Sequence, residues 1–143
     1  MDLVTKRKWD NASRAYDWMN GYGPERRWGP VKRRLFSHMR GKVLFMAVGT
    51  GLDIRLFPPG QDIVAIDISD RMLEAAKPRA DAYRGTLELR HLDVHDLDYP
   101  DDTFDQAFTS CTFCSVPNPV EGLACLRRVL KPGGELHMFE HTG

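Results

Sequence analysis

No apolar run in this 143-residue chain approaches the roughly 18 residues that a membrane-spanning helix needs. Its first residues, MDLVTKRKWD, lack the apolar core of a secretory signal, so a cytoplasmic setting is expected. Cysteine is scarce and odd in number: Cys111, Cys114 and Cys125 cannot build a paired framework, which fits a reducing compartment. Cys111 and Cys114 stand as C-x-x-C, but no second pair follows to complete four zinc ligands. No metal is expected, and the thiols read as small buried hydrophobes. Repeats, low-complexity tracts and long linkers are also missing, and the length suits one domain.

Net charge is zero, but it is unevenly spread. Residues 1–42 carry 11 Lys/Arg against 4 Asp/Glu, and the remainder carries 9 against 16. Either the basic segment meets an anionic surface, or the two parts pair with each other. The segment reads as two helices, 4–19 and 25–40, joined by the turn cluster NGYGP. In the second, Trp28, Val31, Leu35 and Met39 fall on one apolar stripe. Arg26, Arg27, Lys32, Arg33 and Arg34 fill much of the remainder, and Pro30 fits only a first turn. Such a helix either packs its stripe on a sheet or lies on an anionic membrane surface. A basic helix alone is thin evidence for nucleic acid, which is not expected as a partner.

Strands and helices alternate from residue 42 onward. KVLFMAV is a continuous apolar run, as in a strand covered on both faces. DIVAID, TLELRHLD, TFDQAFTSC and ELHMFEH follow as further strands. Between them lie a loop with one short helix (GLDIRLFPPG), a helix over 69–83 capped by Ser69 or Asp70 and interrupted near Pro78, and a helix PVEGLACLRRVL closed by the KPGG turn. This is an α/β pattern: an open parallel sheet with helices on both faces, preceded by a helical segment. The expected division is a basic helical cap over 1–41 and a Rossmann-like core over 42–143.

Ligands on such sheets bind beyond the carboxyl ends of the strands. The first strand ends in Ala47-Val48-Gly49-Thr50-Gly51, where Gly49 and Gly51 allow a sharp turn and a close backbone approach. Asp67 ends the second strand, 16 residues after Gly51, where a carboxylate can accept from both hydroxyls of a ribose or cap the next helix. Asp93 ends the third strand and can accept from the exocyclic amine of a base, with Val94 packing on the ring. Three strand ends in this order fit a nucleoside. A nicotinamide dinucleotide fits less well, because the third glycine of G-x-G-x-x-G is absent and position 54 is Ile.

The stretches VLFMAVGTG, VAIDISDRMLEAA, LRHLDVHDLDYPDDTFD and CLRRVLKPGGELHMFEH resemble class I S-adenosylmethionine-dependent methyltransferases. WDNASRAYDWMN looks like the quinone C-methyltransferase branch; VGTGLDIRLFPPG and SCTFCSVPNP look like the phospholipid N-methyltransferase branch. The resemblance implies a sheet in the order 3-2-1-4-5 and S-adenosylmethionine as cofactor, with S-adenosylhomocysteine as product. It implies that Ala47, Gly49, Thr50 and Gly51 form the cofactor loop, the glycines lining the methionine part. Asp67 would hold the ribose, Ile68 and Met72 pack near the adenosine, and Asp93 and Val94 read the adenine. Ser110 and Cys111 would lie beside the sulfonium, and Tyr16 matches an N-terminal helix that closes over the cofactor.

Two departures from the family pattern bear on function. Phe45 stands where the family usually has an acid that helps hold the cofactor ammonium, and Ala47 replaces the first glycine. Loss of one charge-assisted hydrogen bond is worth about 1.5–3 kcal/mol, so weakened binding is expected, unless Phe45 is simply packed inside the strand. The family also usually continues past the fifth strand, and here the sequence ends at EHTG, so the expectation is a fragment, a swapped dimer or a dimer paired through the edge of the fifth strand. The expected function is methyl transfer to a small or lipid-like acceptor, an amine or a quinol, by in-line displacement; the alternative is a cofactor-binding or assembly module without turnover. The one candidate base is His141. It shares a strand face with His137, but about 13 Å apart the two cannot share a metal.

Overall fold

In the computed structural model, residues 24–46, 48, 51–110 and 118–139 are described. The expected helix over 4–19 lies outside them. Helix α1 (Pro24–Phe36) leads into β1 (Lys42–Met46), a 3-10 turn (Leu52–Leu56) and β2 (Asp62–Asp67). Helix α2 (Asp70–Asp81), β3 (Thr86–His91) and a second 3-10 turn (Val94–Asp96) follow. β4 (Phe104–Ser110), α3 (Pro119–Val129) and β5 (Leu130–Phe139) complete the described chain. The strands form one all-parallel sheet in the order β3-β2-β1-β4-β5, as the resemblance implied.

β1 is central because its residues are apolar on both faces. Val43 pairs with Ile63 on one side and Gln106 on the other. Val43 and Phe45 join a core with Phe36, Ile54, Phe57 and Ala80, under α1, the first 3-10 turn and α2. Leu44 and Met46 join the opposite core with Val94, Leu97, Leu126 and Val129, under α3 and the second turn. Phe36 anchors α1: its ring meets those of Phe57, Phe45 and Phe108 edge-on, with centroids 5.0, 5.6 and 6.1 Å away. Buried Gln106 secures the exit from α1. Its Oε1 accepts from the Arg40 amide at 2.8 Å, and its Nε2 donates to the His38 carbonyl and to Glu135 Oε1.

Several sequence expectations need correction. Pro30 sits in the middle of α1 rather than in its first turn, and Pro78 does not interrupt α2. Pro78 is exposed, as is Glu74 four residues earlier, so water can satisfy the carbonyl that proline leaves without a donor. Of the expected apolar stripe, Leu35 packs against the core and Met39, just beyond α1, is buried, but Val31 is not. Val31 is 47% exposed, while Phe36 and Met39 are buried and Lys32 turns inward. The KPGG segment is not a free turn. β5 starts at Leu130 opposite Phe104, bulges, and resumes pairing with Glu135 opposite Gln106. Gly133 supplies the positive φ of 78° within that bulge.

Candidate active site

The site forms at the carboxyl ends of the central strands. Val48 continues beyond β1, its amide donating to the Ile66 carbonyl of β2 at 2.9 Å. Gly51 closes the loop, its amide donating to Val48 at 3.1 Å, and it caps the first 3-10 turn with φ 83°. A Cβ at Gly51 would stand 2.9 Å from Ile54 Cδ1 and 3.1 Å from Ala76 Cβ. This glycine therefore allows the loop to press against α2, a packing reason in addition to the ligand-approach reason read from the sequence.

Asp67 ends β2 with 6% exposure, its Oδ1 accepting from the Ser69 amide at 2.9 Å. Ser69 is the helix cap, accepting from the Met72 amide at 3.2 Å, so the two side chains form successive turns. Met72 is buried beneath them, and Ile68 is half-buried. Asp93 repeats the pattern at the next strand: 7% exposed, with Oδ1 accepting from the His95 amide at 2.9 Å. Val94 is turned into the core under α3. Ser110 ends β4 and is buried. Tyr16, Ala47, Gly49, Thr50, Cys111 and His141 lie outside the described residues. No cluster of three metal-ligating side chains occurs among the described residues.

The structure adds positioning residues that spacing could not reveal. His91 Nε2 donates to the Ile68 carbonyl at 2.8 Å, while Nδ1 lies 2.8 Å from Asp70 Oδ1. These two contacts tie the end of β3 to the loop after Asp67 and to the start of α2. Arg90 makes a two-point pair with Asp98 at 2.9 Å for each bond, and its guanidinium lies 5.1 Å from the Tyr99 ring centroid. This clamp holds the loop that carries Asp93, and the guanidinium holds the Asp98 carboxyl below its usual range. On the other side, Lys32 of α1 pairs with Asp53 of the first 3-10 turn at 3.0 Å.

Phe45, at the position where the family usually has an acid, is 1% exposed. Its ring lies 4.9 Å from that of Phe57 and 5.6 Å from that of Phe36. It is packed inside the sheet, one of the two alternatives read from the sequence.

The site thus presents two nearly buried carboxylates, one at the end of β2 and one two residues beyond β3, beside a loop whose last glycine has positive φ. Acceptors of this kind match the ribose hydroxyls and exocyclic amine of a nucleoside, so the residues present fit S-adenosylmethionine. A family model described as "Methyltransferase domain" matches residues 44–138. The chain belongs to this methyltransferase family. A demethylmenaquinone methyltransferase of Clavibacter sepedonicus is 36% identical over 138 residues, covering 93% of this chain and 56% of the relative. A phosphatidylethanolamine N-methyltransferase of Cereibacter sphaeroides is 33% identical over 115 residues, covering 77% and 57%. The chain thus spans about half the length of these methyltransferases. Among solved structures, the DhpI-SAM-HEP complex aligns with a TM-score of 0.75 at 22% identity, covering 99% of this chain and 67% of that one. At that identity the likeness establishes the fold alone.

Proposed function

We propose that this chain carries the donor-binding half of an S-adenosylmethionine-dependent methyltransferase acting on a small or lipid-like acceptor, an amine or a quinol. The observation that carries the reading is the pair of nearly buried carboxylates: Asp67 at the end of β2 and Asp93 two residues beyond the end of its parallel neighbour β3. Asp67 accepts from the ribose hydroxyls, held in place by its bond to the Ser69 amide. Asp93 accepts from the adenine amine. When bound, the cofactor supplies a methyl group already activated on a sulfonium. The remaining task of the protein is to align acceptor and donor and to keep the site dry. The two relatives named above, one a quinone-pathway and one a phospholipid enzyme by name, support the lipid-like acceptor class.

The test is calorimetric titration with S-adenosylhomocysteine. Micromolar binding is expected, weakened at least tenfold in Asp67→Asn, which keeps an acceptor for the Ser69 amide but loses the charge. Methyl transfer from labelled donor to amine-headed lipids and to quinols then assigns the acceptor. Absence of binding to the folded chain overturns the reading.

A further inference from the structure

A second feature lies apart from the nucleotide site and shares no residue with Asp67, Asp93, Ser110 or Gly51. Between α1 and the first 3-10 turn runs a groove of about 680 Å³. Pro30, Arg33, Arg34 and Ser37 line it from the helix, and Arg55 and Leu56 from the turn. Three guanidinium groups thus border one concavity, and no acidic side chain lines it among the described residues. Two other cations of the basic segment are committed: Lys32 pairs with Asp53 and Arg40 with Glu135. Arg33 and Arg34 are exposed and have no acidic partner among the described residues. Among the described residues, pairing between the two parts of the chain therefore accounts for only some of the basic charge.

The placement of Lys32 and Val31 on α1 supplies an independent observation. Lysine faces inward and valine faces outward, the reverse of what burial in water favours. Val31 is 47% exposed, beside exposed Pro30 and one helical turn before Arg34. An outward apolar side chain beside arginines, on a helix anchored to the core by Leu35 and Phe36, matches an element that rests in a lipid headgroup layer.

We propose that this groove docks the protein on an anionic phospholipid bilayer. Arg33 and Arg34 hold a lipid phosphate, with Arg55 bordering the same concavity, and Val31 enters the interface beside it. Guanidinium suits the role because its planar donors meet phosphate oxygens two at a time. The groove is wide enough for a headgroup, and its charge is complementary. Docking here does not depend on methyl transfer, and its test reads no catalysis.

The test is co-sedimentation of the chain with vesicles of phosphatidylcholine alone and of equal parts phosphatidylcholine and phosphatidylglycerol. Binding is expected only to the anionic vesicles and is expected to weaken as salt rises. Arg33→Gln with Arg34→Gln should weaken it about 30-fold, from roughly fivefold per arginine near a charged surface. Val31→Asn should weaken it while leaving the salt dependence intact. Lys77→Gln with Arg84→Gln, which removes two exposed charges elsewhere, should leave binding unchanged. Circular dichroism melts establish that each variant is folded. Equal binding by the arginine pair variant, or equal binding to neutral vesicles, overturns the proposal. Saturable binding of soluble glycerol phosphate by a chain that ignores anionic vesicles also overturns it, and reassigns the groove to a free phosphate ligand.

Discussion

Lys32 Nζ lies 3.0 Å from Asp53 Oδ1, each side chain only 14% exposed, and this pair ties the basic helix to the 3-10 turn that opens at Leu52. With both charges largely out of water, removing one partner strands the other. Lys32→Ala should cost about 3 kcal/mol in urea unfolding, whereas Lys32→Met combined with Asp53→Leu should come close to neutral. A double variant as unstable as the single one would show that the pair does not act as a unit.

Phe45 occupies the place of a family acid but serves the core. Phe45→Ala should destabilise by about 3–5 kcal/mol, because its contacts with Phe36 and Phe57 leave a cavity in a closely packed layer. Phe45→Glu, which restores the family residue, should unfold the chain instead of tightening cofactor binding, since the carboxylate would be buried without a partner. Tighter binding by a folded Phe45→Glu chain would contradict this.

Gly51→Ala places a methyl group in a left-handed backbone conformation and against Ile54 and Ala76. The backbone contribution alone is roughly 1–2 kcal/mol. The thermal midpoint should fall, and S-adenosylhomocysteine affinity should fall with it, because the loop and the face of α2 shift together.

Glu135 should shape the acid limb of the stability profile. Its hydrogen bond from Gln106, aided by His137 and Arg40, lowers its carboxyl from 4.5 to about 2. A depressed folded value means that its contribution is present above the unfolded value and is lost as pH falls through that window. Asp105, held low by the Lys42 amide and by Lys131, and Asp98, held low by Arg90, act in the same direction. Melts at successive pH values should show the wild type and Glu135→Gln converging between pH 4.5 and about 2. A constant gap across that range would assign the acid sensitivity elsewhere.

Much was legible from local pattern. The apolar run of β1, the strand DIVAID and the Ser69 cap are properties of neighbouring residues, and the structure has each in place. Asp67 lies at the end of β2 as its position after an apolar run implied, whereas Asp93, read as the end of the third strand, lies two residues past β3 as the cap of the second 3-10 turn. The family motifs gave the strand order.

Tertiary packing decided what local periodicity leaves open. Spacing on α1 put Val31 inside with Leu35 and Met39; those two do meet the core, but Phe36 and Leu35 set the buried face of the helix and leave Val31 outward. Lys32 turned inward because its partner, Asp53, lies 21 residues away in sequence. The role of Gly51 depends on Ala76, that of Phe45 on Phe57, and that of His91 on Ile68 and Asp70. Periodicity determines which residues can share a face. Which face is buried, and which charge stays in water, is determined by contacts between segments that only the closed fold brings together.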